Sequence, residues 1–181
     1  TKSIGRGSEI ELLGEIHYPD SLGLFYSTIT AFLGFKVNND EYKVMGLASY
    51  GEPKYENEIL KLINMFEDGS FKLNMEYFSF PYSNRRMYNR KIEEVLGEPR
   101  FAGDEVTQRH MNIASSAQKV LEDIMVKMAT QFHKETGMDY LCMAGGVALN
   151  CVANWKIRER TPFKAVFVQP AAGDDGGCVG A

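Results

Sequence analysis

Two glycine-rich stretches near the C-terminal end hold the residues best suited to chemistry. One is Ala144-Gly145-Gly146-Val147-Ala148-Leu149-Asn150, and the other is Ala172-Gly173-Asp174-Asp175-Gly176-Gly177. A glycine pair lets the backbone turn sharply and brings bare N–H groups to a helix start, where donors and the helix dipole favour a phosphate. Adjacent carboxylates offer oxygen ligands to a cation. Either pattern alone also serves as an ordinary tight or solvated turn. Two of them in successive strand–helix units point to one shared cleft.

The elements that must position them follow from the flanking residues. Tyr140–Ala144 is a short apolar run of the kind expected in a strand buried on both faces. The spacing predicts a helix over Val147–Arg160 and a second buried strand over Ala165–Val168. Loops at the carboxyl ends of parallel strands are where α/β sheets hold ligands. The glycines and the carboxylates are therefore expected at one sheet edge.

Earlier in the chain, Thr1–Ile4 and Glu9–His17 read as a hairpin about Gly5-Arg6-Gly7-Ser8, with Ile10 and Leu12, alone or with Leu13, on its buried face. Asp20 or Ser21 caps a helix with Leu22, Phe25, Ile29 and Phe32 or Leu33 at helical spacing, ended by Gly34. A short helix over residues 40–48 and another over about Tyr55–Phe66 follow, then a strand over Phe71–Phe80. The aromatic run 77–82 is expected to pack. Lys91–Leu96 forms a short helix, and the longest helix runs from about Glu105 to Thr136. Its stripe of Ile113, Ala117, Val120, Leu121, Ile124, Met128 and Phe132 is closed by Gly137.

With 181 residues, 44% hydrophobic and 24% charged, the chain has an ordinary globular balance. A net charge of −4 argues against non-specific binding of nucleic acid or of an acidic membrane. No apolar run approaches a membrane span, and the N-terminus lacks a signal-peptide pattern. Cys142, Cys151 and Cys178 are unclustered and read as reduced, mostly structural thiols of a cytoplasmic protein. His17, His110 and His133 stand apart, with no paired-histidine or paired-cysteine ligand spacing, so a complete zinc site within the chain is not expected. Nucleophile-elbow, P-loop and dinucleotide fingerprints are missing. Both ends read as cut, Thr1–Gly5 as a strand already under way and Gly180-Ala181 as a helix just starting, which predicts a piece of a longer protein.

Three blocks together resemble one family: Pro19–Phe35, Asp40–Pro53, and Ala144–Asn154 with Pro170–Ala181. Their order and spacing resemble the nodulation-protein and cephamycin-biosynthesis type of O-carbamoyltransferase across nearly the whole chain. The resemblance implies an α/β fold of the actin, sugar-kinase and heat-shock ATPase (ribonuclease H-like) type, with two lobes and truncated at both ends. Residues 1–82 would end the first lobe, 83–104 would be a linker region, and 105–181 would be the second-lobe segment with both glycine loops. It implies ATP and carbamoyl phosphate as substrates, a carbamoyl-adenylate intermediate, and transfer to a hydroxyl of a sugar, antibiotic or related metabolite. A YrdC-like domain in the same polypeptide would form the adenylate, downstream of Ala181. A divalent metal, iron or zinc, would be held only in the intact protein, with histidine ligands upstream of Thr1.

By the same resemblance, Asp175 falls on the family's acidic metal ligand, with Asp174 as the alternative. Gly145, Gly146 and Asn150 fall on its nucleotide loop; Gly23 and Lys43 fall where the first lobe approaches the nucleotide. Backbone N–H groups at Gly146 and a metal held partly by Asp175 would meet the negative charge of the carbonyl oxygen and of the adenylate leaving group. The base for the acceptor hydroxyl is not identifiable in the sequence. A sugar or acyl kinase of the same fold, or a non-catalytic nucleotide-gated interaction module, are the competing readings, because fold alone does not fix function.

Overall fold

The computed structural model describes all 181 residues. It is a mixed α/β structure built on one long helix, α5 (Gln108–Thr136), of 29 residues and roughly 44 Å. Its inward stripe, from Ile113 through Ala117, Val120 and Leu121 to Ile124, is fully buried. Against it pack α1 (Leu22–Phe32), α2 (Glu41–Ala48), α3 (Glu56–Ile59) and α6 (Cys151–Arg160). Burying each such Ile, Leu or Phe side chain contributes roughly 1.5–3 kcal/mol, so α5 is the element on which the others depend.

Helix α1 starts where Ser21 Oγ accepts from the Leu24 N–H at 3.2 Å, leaving Asp20 free to accept from the Leu73 N–H at 2.7 Å. Phe25, Ile29, Phe32 and Leu33 have no exposed surface. Thr28 and Thr30 are equally buried because their hydroxyls donate to the carbonyls one turn back, Leu24 O at 2.8 Å and Tyr26 O at 2.9 Å. Past Gly34, Arg100 reaches back to the helix end: its Nε donates to Leu33 O at 2.7 Å, and its guanidinium lies 4.7 Å from the Phe35 ring centre. Helix α4 (Lys91–Leu96), just before Arg100 in the chain, adds Ile92 and Leu96 to the same core.

Three two-stranded sheets complete the structure. Strands β1 (Lys2–Arg6) and β2 (Glu9–Gly14) form the expected hairpin, but its buried face does not exist: Ile10 is 80% and Leu12 60% exposed, and Leu13 is exposed as well. Lys2 of β1 pairs with Glu135 of α5, but no element covers the face that carries Ile10 and Leu12, so alternation alone could not bury it. The expected helix over Tyr55–Phe66 is also corrected. Only the single turn of α3 forms, and β3 (Ile63–Met65) pairs antiparallel with β4 (Phe71–Leu73). The turn between them decides this, because Asp68 Oδ1 accepts from the Ser70 N–H at 2.9 Å and Gly69 takes φ 79°. Strand β4 stops at Leu73 rather than Phe80, since Asn74 begins a new turn through Asn74 O and the Tyr77 N–H at 3.1 Å. Phe78 then packs edge-on to Phe80, at 5.5 Å between ring centres.

Strands β5 (Tyr140–Met143) and β6 (Ala165–Val168) are the parallel pair predicted from the apolar runs. Their burial is one-sided. Leu141, Met143 and Val166 join the core with Ala153 and Ile157 of α6, whereas Tyr140, Cys142 and Phe167 face outward and are exposed. The expectation of strands covered on both faces fails because helices of this chain lie on one side only. All three cysteines are exposed and unpaired, so they are not core thiols. No helix is long and apolar enough to cross a membrane.

The start of α5 carries a pH-sensitive cap. The Thr107 N–H donates to His110 Nδ1 at 3.1 Å, a bond that needs the unprotonated nitrogen. Burial first, then the charges of Arg109 and Arg100, hold this imidazole below its ordinary value, against a smaller opposite pull from Asp104. The unfolded chain therefore takes up the proton first. The cap's stabilisation is full above about pH 6.5 and is lost as pH falls through the depressed folded value. His110→Gln, which keeps an acceptor in a capping-box position, is expected to lose less melting temperature than the parent between pH 7 and pH 5.

Candidate functional site

The two glycine loops meet at the carboxyl ends of β5 and β6, as the strand order requires. The Gly145 N–H donates to Ala172 O at 2.6 Å, which joins one loop directly to the other. Gly145 adopts φ 102° and ψ 165°, a region essentially restricted to glycine. The chain then forms a 3₁₀ turn over Gly146–Leu149, and α6 begins only at Cys151. The opening N–H groups of such a turn, Gly146 and Val147, have no acceptor within it. No atom beyond its own neighbours lies within 4 Å of where a Cβ on Gly146 would sit.

Gly23 and Asp175 both border this turn. A methyl on Gly23 would sit 3.6 Å from Val147 Cγ2, so the start of α1 abuts the turn. A methyl on Gly173 would lie 3.2 Å from Asp175 Oδ1 and 3.7 Å from Leu149 Cδ1, placing the Asp175 carboxylate beside the same turn. Asp174 and Asp175 are both exposed, within a short 3₁₀ turn (Asp174–Gly176) that leads into α7 (Gly177–Gly180). Lys43 sits on the first turn of α2 and pairs with Asp40 at 2.9 Å. That hydrogen bond raises its pKa above the ordinary value. Neither of its close partners, Asp40 and the Tyr42 ring, belongs to a glycine loop.

Asn150 is committed inward rather than left open. Its Oδ1 caps α6 by accepting from the Ala153 N–H at 3.0 Å, and it is only 8% exposed. Its carboxamide pairs reciprocally with that of Gln118 on α5: Gln118 Nε2 donates to Asn150 Oδ1 at 3.1 Å, and Asn150 Nδ2 donates to Gln118 Oε1 at 2.9 Å. Tyr26 Oη also donates to Gln118 Oε1 at 2.8 Å, and Gln118 Nε2 donates to Glu122 Oε1 at 2.8 Å. Burial, reinforced by the nearby Glu122 charge, pushes the Tyr26 phenol well above its usual pKa, so it remains a donor. One turn further along α6, Asn154 Nδ2 donates to Ala148 O at 2.7 Å, while Asn154 Oδ1 is buried without a partner.

Sequence reasoning passed over Gln118, Glu122, Tyr26 and Asn154. A signal for the first two was present: both fall at buried spacing on α5, beside Ala117 and Leu121, where the pattern calls for apolar residues. Polar side chains at such positions must find partners.

Comparison with known proteins returns one family model, described as carbamoyltransferase N-terminus, over residues 3–181. An uncharacterized protein of Synechocystis sp. is 48% identical over 98% of this chain and 29% of its own length. The nodulation protein NolO of Bradyrhizobium diazoefficiens is 35% identical over 99% of the chain and 31% of its own. The nodulation protein NolNO of Sinorhizobium fredii is 33% identical over 99% and 25%. The chain thus spans about a quarter to a third of the length of these relatives.

Proposed function

The chain belongs to the carbamoyltransferase N-terminus family, and from that membership we propose that the intact protein is an ATP-dependent O-carbamoyltransferase whose transfer domain includes residues 1–181. Carbamoyl phosphate and ATP would give carbamoyl-adenylate, formed by a YrdC-like domain of the same polypeptide. The carbamoyl group would then pass to a hydroxyl of a sugar, antibiotic or related metabolite. The family match over 3–181 is the observation that carries this reading. The meeting of Gly23, the Gly145–Asn150 turn and Asp175 at one sheet edge supports it with a place for the nucleotide.

In this reading the chain's own groups bind and orient. The Gly146 and Val147 N–H groups face the phosphate, and the bare Gly146 α-carbon allows its close approach. The same donors oppose the negative charge that develops on the departing adenylate. Gly23 closes the turn from the first helix.

A metal is implied by the resemblance, and the donor set does not complete one. Asp175 offers a single exposed carboxylate, and no group of three or more His, Cys, Asp or Glu side chains in the chain could hold an ion. Asp175 would act as one ligand among others supplied by the intact protein. There, Asp175→Asn is expected to lower bound iron or zinc, read by elemental analysis, without changing the melting temperature by more than about 2 °C. A full metal complement would move the role to Asp174 or elsewhere.

Product analysis tests the activity. Full-length protein given ATP, carbamoyl phosphate and a panel of hydroxylated sugars should release a carbamate ester. A phosphate ester instead would establish a kinase, and nucleotide binding with no acceptor-dependent product would establish an interaction module.

A further inference from the structure

The four bonds of the Gln118 carboxamide have a fixed sense. Glu122 Oε1 accepts from Gln118 Nε2 at 2.8 Å, which makes that end of the Gln118 carboxamide the donor. The Tyr26 hydroxyl, which can serve as donor or acceptor, donates at the opposite end to Gln118 Oε1. With both ends set, Asn150 must present Oδ1 to Gln118 Nε2 and Nδ2 to Gln118 Oε1. That sense is the one in which Asn150 Oδ1 also accepts from the Ala153 N–H and starts α6. Gln118, Glu122 and Asn150 are each less than 9% exposed, so losing a partner within the network is costly. Lys119 pairs with Asp123 and not with Glu122, so no lysine competes for the carboxylate.

We propose that Gln118, oriented by Glu122 and Tyr26, is a positioning residue that fixes the direction of the Asn150 carboxamide, and through it the Gly145–Asn150 turn that receives the nucleotide. The inference rests on the nucleotide reading of that turn. Three elements converge on it: α1 through Tyr26, α5 through Gln118 and Glu122, and the start of α6 through Asn150. The same α1 carries Gly23 against Val147, so the turn is held from two sides by one helix pair.

An exchange of the two side chains separates positioning from stability. Gln118→Glu puts an acceptor-only group opposite both Glu122 Oε1 and Asn150 Oδ1. Adding Glu122→Gln restores a donor between 118 and 122 but leaves Asn150 Oδ1 facing a carboxylate. Melting temperature, ATP affinity by calorimetric titration and hydrogen exchange of the Ala153 N–H would be measured on the full-length protein. Gln118→Glu should lower the melting temperature, weaken ATP at least about tenfold and expose Ala153 to exchange. The exchanged pair should regain most of the melting temperature but neither ATP affinity nor Ala153 protection. Recovery of all three in the exchanged pair overturns the proposal, as does unchanged ATP affinity in either folded variant. Should Gln118→Glu not fold, the exchanged pair against the parent carries the same comparison. If the parent itself binds no ATP, the nucleotide reading fails separately, and Ala153 exchange alone decides whether Gln118 directs Asn150.

Discussion

Gly146→Val in the intact protein is expected to weaken adenine-nucleotide binding at least about tenfold, about 1.4 kcal/mol, while leaving the fold intact. The position is a clean probe because an added Cβ meets nothing within 4 Å and the backbone is not in the left-handed region. The unliganded protein should lose no more than about 0.5 kcal/mol, or about 2 °C of melting temperature. What the side chain would fill is the space beside the Gly146 and Val147 N–H groups, where the proposed phosphate would lie. Gly145 is the necessary contrast. At φ 102° a Gly145→Ala substitution strains the turn and should cost about 1–3 kcal/mol of stability with or without nucleotide. Calorimetric titration with ATP beside thermal melts separates the two. Unchanged affinity in well-folded Gly146→Val would make the glycine pair a structural turn and turn attention to Gly23 and Lys43.

The largest stability loss from a single methyl is expected at Gly51, far from either glycine loop in sequence. An added Cβ there would press into the Met111 carbonyl and come within 2.7 Å of the Asn112 nitrogen. These are backbone atoms in the first turns of α5 and cannot swing aside. The surrounding loop is buttoned to that helix, with the Glu52 N–H donating to Asn112 Oδ1 and the Tyr55 N–H to Ser116 Oγ, both at 2.9 Å. Gly51→Ala should therefore destabilise by about 3 kcal/mol, the upper range for overpacking, near 10 °C at the scale expected for this size. Gly46→Ala inside α2 is the control. Its methyl meets open space, and replacing a helical glycine should stabilise by about 0.5–1 kcal/mol. Equal melting temperatures for the Gly51 variant and the parent would show that the loop does not press on α5.

Local patterns in the sequence were enough for the elements whose signal is self-contained. The apolar spacing of α1 and α5, the glycines after them, the helix Lys91–Leu96 and the strands flanking the Gly-Gly turn all lie close to where periodicity puts them. The pairing of β5 with β6 in parallel brought Gly145 and Asp175 to one edge, as strand order alone requires. Each of these depends on neighbours within a turn or two, or on the connection rule for parallel strands.

Tertiary structure decided whatever depended on a distant partner. Residues 63–65 carry an apolar pattern that fits either a helix or a strand, and the Asp68-Gly69 turn with β4 resolved it. Ile10 and Leu12 alternate like core residues yet lie exposed, because burial needs a second surface that residues 1–181 do not place over the hairpin. Asn150 falls inside the helix that the spacing predicts over Val147–Arg160, and in space it is the inward-facing cap just before α6. Its pairing with Gln118, 32 positions away, joins two elements that no sequence period relates. Hydrogen-bond partners across a core are set by how helices cross, and crossing geometry is a property of packed surfaces rather than of any one segment.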